Sequence, residues 1–419
     1  MIPEKPAAQK TANVVLTACV LLNLSIGVLY AWSVISSKLT APIAAGGWEW
    51  SSSQAGLPYT ITIIVFATAM LFGGRLQDKI GPRRVVTMGG ALAGIGIALS
   101  GLVGNSVPGI VLCFGVIAGT GMGFGYGSVT PPALKWFHPS KKGLISGLVV
   151  AGFGVSAVFY APLTTALLQR FDLQTTLLFL GVGVLVISIT ASLFIKNPPP
   201  GYVPAAPVNV KQSSLKITPA VDFTRMEMLK TKRFYLMFVM FLLTASVGLM
   251  FIGSITQIAQ TQARITDSSI LAMLVALLAI MNTAGRVIGG MVSDKFGRIK
   301  ALYMVFIIQM LNMGAFMFYQ NLPMLILGII GVGFCFGTLL SVFPALTADQ
   351  YGLKNIGANY GIMFMAWGFA GVVAPVIANY LYDTYGNFNT AYIICAIMMA
   401  AMIFVNFMLQ KDIAVRSSI

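Results

Sequence analysis

Charge is what this chain has least of. Of its 419 residues only 9% are Asp, Glu, Lys or Arg, with 26 basic and 11 acidic side chains, and histidine occurs once, as His138. Hydrophobic residues make up 57% and the mean hydropathy is +0.87, far outside the usage of soluble domains. Such a chain cannot be a water-soluble enzyme or a nucleic-acid reader with a solvated surface. The four cysteines, Cys19, Cys113, Cys335 and Cys395, all fall within apolar runs and have neither disulfide nor metal spacing, so no metal site and no cofactor is expected. Long polar segments are also missing. The one extended break, NPPPGYVPAAPVNVKQSSLKITPAVDFTRMEMLKTKR, is too rich in proline and lysine to bury a core, which argues against a soluble signalling domain.

What remains is a series of apolar runs of about 20 residues, the length that crosses a ~30 Å hydrocarbon core as a helix. They place spans near 13–36, 53–74, 85–104, 107–130, 143–168, 174–195, 234–259, 269–293, 301–320, 322–346, 357–381 and 388–409. Barrel strands would alternate polar and apolar residues, so the expected class is an all-α integral membrane protein of twelve transmembrane helices. With an even number of spans both termini share one side. Lys38, Arg170 and Arg264 then fall in one set of loops, Arg286 lies within a span, and the other cations occupy the opposite set. The positive-inside rule makes that opposite side cytoplasmic, with both termini and the segment 197–232. The formal net charge of +15 is thereby a topology signal and a basic face toward anionic lipid, not a sign of nucleic acid. The polar N-terminus does not read as a cleaved signal peptide, and the first run is long enough to remain in the bilayer.

The chain repeats itself. GGRLQDKIGPRRV follows the second span and GGMVSDKFGRIKA follows the eighth, and Asp78 and Asp294 within them are 216 residues apart. Gly143, Gly147 and Gly154 recur as Gly357, Gly361 and Gly368 at an offset of 214. The expected organisation is two pseudo-symmetric six-helix bundles, residues 1–196 and 233–419, joined by a cytoplasmic linker at 197–232 that carries one short amphipathic helix near 222–232. An aspartate just past a helix end, beside several cations, can form a charge-assisted latch across the seam between bundles. Asp78, Lys79, Arg83, Arg84, Asp294, Lys295 and Arg298 are the candidate gating residues. Gly119, Gly123 and Gly127 sit four apart in GTGMGFGYG. That run has no lysine and no preceding strand, so it reads as a face for close helix packing and not as a phosphate loop.

The pattern Gly74, Asp78, Lys79, Gly81, Arg83, Arg84, repeated as Gly290, Asp294, Lys295, Gly297, Arg298, resembles the loop signature of the major facilitator superfamily over the whole chain. LYAWS with Tyr30 and Trp32, Tyr126 ten residues before Trp136, Arg286 eight residues before Asp294, and ANYG at 358–361 narrow the resemblance to the branch of oxalate:formate antiporters and monocarboxylate transporters. That resemblance implies alternating access about a central site, with Arg286 binding the substrate carboxylate and Tyr30 and Tyr126 facing the cavity.

The residues support the same expectation. Eight residues at 1.5 Å rise put Arg286 ~12 Å inside the cytoplasmic helix end, where an unassisted cation costs about 2.5–3.5 kcal/mol on insertion scales. Guanidinium binds a carboxylate through two parallel hydrogen bonds, and Asn282, one turn earlier, can add another or bond to a neighbouring helix. Oxalate carriers of the branch place a lysine where this chain has Trp367. Phe153, Phe336 and Leu340 stand where their hydroxyl- or indole-bearing residues would be expected. A second carboxylate would face Trp367, Phe364 and other apolar groups at a cost of several kcal/mol. The expected substrate is therefore a small monocarboxylate such as lactate or pyruvate, bound by Arg286, Asn282, Tyr126, Tyr30, Trp367, Phe364, Phe336 and Leu340; an oxalate/formate-type exchanger is the alternative. Animal monocarboxylate transporters carry an aspartate where this chain has Asn282, which cannot titrate, and no acid lies in the membrane core. Proton symport is the expectation from the resemblance, with exchange and uniport open. The remaining expectations are a non-enzymatic, monomeric transporter in a bacterial or archaeal plasma membrane. A channel is physically possible, but duplicated halves with paired latches suit rocking better.

Overall fold

The computed structural model describes residues 5–204 and 222–417. Twelve of the described helices are long and apolar enough to cross a membrane. They are α1 (Ala8–Thr40), α2 (Ser52–Ile80), α3 (Pro82–Leu102), α4 (Val107–Trp136), α5 (Pro139–Leu168), α6 (Leu173–Ser192), α7 (Lys232–Gln262), α8 (Ser269–Phe296), α9 (Arg298–Phe316), α10 (Leu322–Tyr351), α11 (Ile356–Tyr385) and α12 (Asn389–Ala414). Each overlaps the corresponding predicted span. Most begin or end outside it, because polar caps and end turns extend a helix beyond its apolar stretch without registering as hydropathy.

Those caps are visible. Ser51 accepts from the Gln54 N–H at 3.3 Å while the Gln54 side chain accepts from the Ser51 N–H at 2.9 Å, a capping box that starts α2. Asp172 accepts from the Thr175 N–H at 2.7 Å to start α6, and its bonds from Thr175 hold the carboxyl below the usual carboxylate range. The duplicated motif also contains its own helix stop. Gly81 and Gly297 have φ of 89° and 94° with extended ψ, a region open essentially to glycine, so α2 and α8 end there and α3 and α9 start in the next residue. α1 tightens to a 3₁₀ turn over Gly27–Ala31 before resuming, and α4 carries a π-helical stretch over Val111–Ala118.

The described residues divide into two compact units. The first takes the described parts of Met1–His138, Val149–Ala205 and Lys354–Gly368; the second takes those of Pro139–Leu148, Ala206–Leu353 and Phe369–Ile419. Within the first, α2 packs on α4 through small residues. A methyl group at Gly119 would crowd Thr62, and one at Gly123 or Gly127 would overlap Phe66 and Ala69 or Met70. This is the smooth face expected from GTGMGFGYG, and it lets two backbones approach where lipid offers no hydrophobic drive to association. Within the second, α8 lies against α10 in the same way, with Gly285 and Gly289 of α8 meeting Phe334 and Thr338, and Gly333 and Gly337 of α10 meeting the backbone of α8. All four cysteines are buried and unbridged.

Of the segment expected as a linker, 205–221 lies outside the described residues. Its end holds a short helix, Arg225–Leu229, with a Thr224/Glu227 capping box, inside the stretch where one amphipathic helix was expected. Phe223 donates its N–H to the Tyr351 carbonyl at 3.0 Å, and Arg233 pairs with Asp412 at 3.5 Å, tying this end to α10 and α12.

Candidate substrate site and gates

In the second unit Arg286 is 1% exposed, among the largest side chains fully buried in the protein. Its position is imposed by backbone. Gly337 of α10 sits on the Asn282 carbonyl and the Arg286 N–H, and Gly147, from the part of α5 that belongs to this unit, sits on the Arg286 carbonyl; a Cβ at either would overlap. The guanidinium is oriented by its own helix, with Arg286 Nε donating to Asn282 Oδ1 at 3.2 Å. Asn282 is itself 5% exposed. The pair is what i,i+4 spacing predicts, and the acceptor is a neutral amide, so the bond sets the direction of the cation without cancelling its charge. Phe336 and Leu340, on α10, are buried too, and the Phe336 ring lies over Gly248 of α7.

The first unit gathers aromatic rings. Tyr126 meets Phe66 at 5.4 Å, Phe153 at 5.3 Å and Phe364 at 5.3 Å between centroids. Phe364 stacks on Trp367 at 5.0 Å, and Tyr30 meets Phe153 edge-on at 5.4 Å. The 3₁₀ turn in α1 carries Tyr30. It is stitched to α5 by Ser156, whose Oγ donates to the Gly27 carbonyl at 2.9 Å. Tyr126, Phe364 and Trp367 are buried and Tyr30 is partly exposed. Trp32 is a different case: its Nε1 donates to the Ala55 carbonyl at 2.9 Å, a tie between α1 and α2. Sequence reasoning did not single out Phe66, the ring that touches Tyr126, Phe153, Phe364 and Trp367 alike, since one Phe among 27 in a membrane helix carries no signal of its own.

Each motif aspartate caps the start of another helix. Asp78 Oδ2 accepts from the Ala358 N–H at 2.8 Å in the first turn of α11, with Gly74 against Gly357 beside it. Asp294 accepts from the N–H groups of Gly143 and Leu144 at 2.8 and 2.7 Å at the start of α5, with Gly290 against Gly143. The repeated glycines thus exist because a Cβ there would collide with the facing backbone. Carboxylates seat on helix N-termini because unpaired N–H groups and the helix dipole converge there.

The two sites differ in their charged partners. Arg298 donates to Asp294 at 2.6 Å, to Ser293 at 2.7 Å and to Asp349 at 3.0 Å, and Lys142 donates to Asp349 at 2.8 Å. At the first site the Gln77 amide donates to Asp78 at 2.6 Å, and Lys79, Arg83 and Arg84 are exposed, as is Lys295 at the second. Of the cations proposed for gating, Arg298 is the one brought into an ion pair with a motif aspartate among the described residues. Lys142 and Asp349 were missed. The duplication offers a signal: at the 214-residue offset Asp349 corresponds to Lys135, so the halves differ in charge at that position. Among the described residues no group of three or more His, Cys, Asp and Glu could hold a metal ion.

Comparison with known proteins agrees with this architecture. Residues 15–331 and 312–417 match the family model of the Major Facilitator Superfamily. The chain is 26% identical over 384 residues to the oxalate:formate antiporter of Oxalobacter formigenes, covering 91% of this chain and 87% of that one. It is 26% identical over 394 residues to apicoplast pyruvate carrier 1 of Toxoplasma gondii, covering 80% and 69%. Its fold resembles that of the transporter FucP in its outward conformation, with a TM-score of 0.65, 15% identity and coverage of 93% and 98%. With twelve membrane-length helices and a family match across nearly its full length, the chain is a multi-pass membrane transporter, not an enzyme, and belongs to the Major Facilitator Superfamily.

Proposed function

We propose that this transporter carries short monocarboxylates of the lactate and pyruvate type by alternating access, with Arg286 as the anchor for the carboxylate. The observation that carries the reading is a permanent cation, 1% exposed on a membrane helix and oriented by the neutral amide of Asn282. A guanidinium in that setting favours an anion, and its fork fits a carboxylate. Relatives named for formate, oxalate and pyruvate carriage support the substrate class. Absence of a second cation in the apolar cores favours one carboxylate over two, with Phe336 and Leu340 near the anchor's helix and Tyr30, Tyr126, Phe364 and Trp367 contacting the apolar body.

The gates in this reading are Asp78 and Asp294 on their helix N-termini, with Arg298 reinforcing the second and Lys79, Arg83, Arg84 and Lys295 holding the loops at the cytoplasmic face. The moving parts are the sequence halves 1–196 and 233–419, joined through 197–232, in a monomer of a bacterial or archaeal plasma membrane with both termini inside. Proton symport is the proposed coupling. With no acid in the membrane core, the proton would travel with the bound carboxylate.

Reconstitution in liposomes tests this directly, by uptake of labelled lactate, pyruvate, formate and oxalate with and without an inward proton gradient and internal counter-substrate. Lactate and pyruvate uptake stimulated by the gradient is the expected result. Rapid oxalate exchange indifferent to the gradient would instead establish the antiporter reading, which the Oxalobacter relative favours.

A further inference from the structure

Both ends of the segment that joins the halves fold back onto a helix end, and they do so in the same way. At the first end the Tyr202 N–H donates to the Pro199 carbonyl at 3.1 Å and Gly201 has a φ of 80°, the conformation that Pro-Gly adopts at the centre of a type II turn. The turn lays Tyr202 on Trp136, with ring centroids 5.0 Å apart, and its hydroxyl donates to the Trp136 carbonyl at 3.3 Å. Trp136 is itself fixed, since its Nε1 donates to the Lys196 carbonyl at 2.7 Å. At the second end Phe223 meets Tyr351 edge-on at 5.5 Å and donates its N–H to the Tyr351 carbonyl at 3.0 Å. The Arg233 guanidinium lies 5.7 Å from both rings, and the Tyr351 hydroxyl bonds to that of Thr231 at 2.9 Å. Trp136 and Tyr351 are the last residues of α4 and α10, 3% and 0% exposed. Carbonyls at a helix end have no partner within the helix, so each end of the segment supplies one, with a ring to cover it.

We infer that the two ends of this segment, through Tyr202 and Phe223, brace the turns from which α5 and α11 depart and so hold the contacts at Asp294 and Asp78 closed. Seven residues after Trp136 comes Gly143, whose N–H caps Asp294; seven after Tyr351 comes Ala358, whose N–H caps Asp78. Each brace lies wholly inside one compact unit, the first in the first and the second in the second. Immediately afterwards the chain passes to the other unit, at Pro139 and at Lys354. The braced turns are therefore the places where the chain must bend if the units move. The second brace reaches the turn directly, because Gly352, with a φ of 79°, is packed so closely on Asp222 that a Cβ would overlap. It also borders the Asp294 contact within its own unit: Asp349, two residues before Tyr351, accepts from Lys142 and Arg298. Tyr202 and Phe223 are positioning residues in this scheme. They touch no substrate and act by favouring one of two populations.

This inference rests on reading the Asp78 and Asp294 contacts as gates, and the experiment keeps the two apart. Ser293→Cys and Ala358→Cys place a reporter in each contact, at positions 1% and 8% exposed. Their labelling rates with a maleimide are measured in the purified full-length transporter. Tyr202→Ala and Phe223→Ala should each raise labelling at both reporters about fivefold, the effect of losing one ring pair or one hydrogen bond, and the double variant should raise it by roughly the product. Tyr202→Phe, which keeps the ring and loses the hydroxyl, should fall between Tyr202→Ala and the wild type. Asp78→Asn and Asp294→Asn serve as the reference. If neither raises labelling, the contacts are not gates and the brace falls with them. If they do and the Tyr202 and Phe223 variants label at the wild-type rate, the brace alone is overturned. A parallel rise at the four native cysteines, all buried, would mark a loosened bundle and overturns it as well.

Discussion

At the scale of single residues, the chemistry of the anchor lies in the difference between a fork and a point charge. Arg286→Lys keeps the cation but loses the planar pair of donors and the Nε bond to Asn282. Transport of the preferred monocarboxylate should fall roughly 10- to 100-fold, about the loss of one to two charge-assisted hydrogen bonds. A Lys variant with wild-type kcat/KM would remove Arg286 from the site. Asn282→Asp asks the complementary question. The amide orients the guanidinium without neutralising it, whereas a carboxylate at 3.2 Å would supply the countercharge from within the protein and compete with the substrate for the same cation. KM is expected to rise about tenfold; a variant that binds substrate as tightly as the wild type would mean that the charge on Arg286 is not what the substrate sees. These residues were legible in sequence because a cation in an apolar run is rare and i,i+4 spacing is short-range. Phe66 was not, since the burial and contacts of one aromatic among many depend on neighbours far away in the chain.

At the scale of helices, glycine carries the design. Gly147 rests on the Arg286 carbonyl, so the start of α5, capped by Asp294, packs against the residue proposed to hold the substrate. In the proposed mechanism, closure of this contact is linked to occupation of the anchor through that shared backbone. Gly147→Leu cannot make that approach. The variant should still insert and bind substrate, but turnover should drop at least tenfold, with a cysteine at Ser293 becoming reactive to thiol reagents. Wild-type turnover in Gly147→Leu would break the proposed link between gate and site. The duplicated aspartates and the glycines beside them, at 216- and 214-residue offsets, lie where α2 meets the start of α11 and α8 meets the start of α5, the contacts proposed as gates. The partners were harder to read. A latch made with neighbouring cations is what a charge-rich loop suggests, yet both aspartates seat on backbone N–H groups, which no side-chain pattern displays. The Asp294 contact adds the Lys142–Asp349–Arg298 network, and those contacts join residues up to 207 apart.

At the scale of the whole molecule, hydropathy and charge already specify the membrane plan, because a bilayer imposes its thickness on every helix and its potential on every loop. The twelve apolar runs therefore map one to one onto α1–α12, while their ends shifted with caps that hydropathy cannot see. The proposed orientation rests on a count of cations that is lopsided between the two sets of loops, and it makes a prediction that owes nothing to the substrate. Ser53, at the start of α2, lies in the cation-poor set and is exposed; Lys300, near the start of α9, lies in the cation-rich set and is exposed. The four native cysteines are all buried, so single cysteines can be introduced against a quiet background. In intact cells a membrane-impermeant maleimide should label Ser53→Cys and leave Lys300→Cys untouched until the membrane is permeabilised. The reverse pattern would invert the molecule. The anchor, proposed to lie eight residues above a cytoplasmic gate, would then lie behind an external one, and the direction in which a proton gradient drives uptake would have to be reassigned with it.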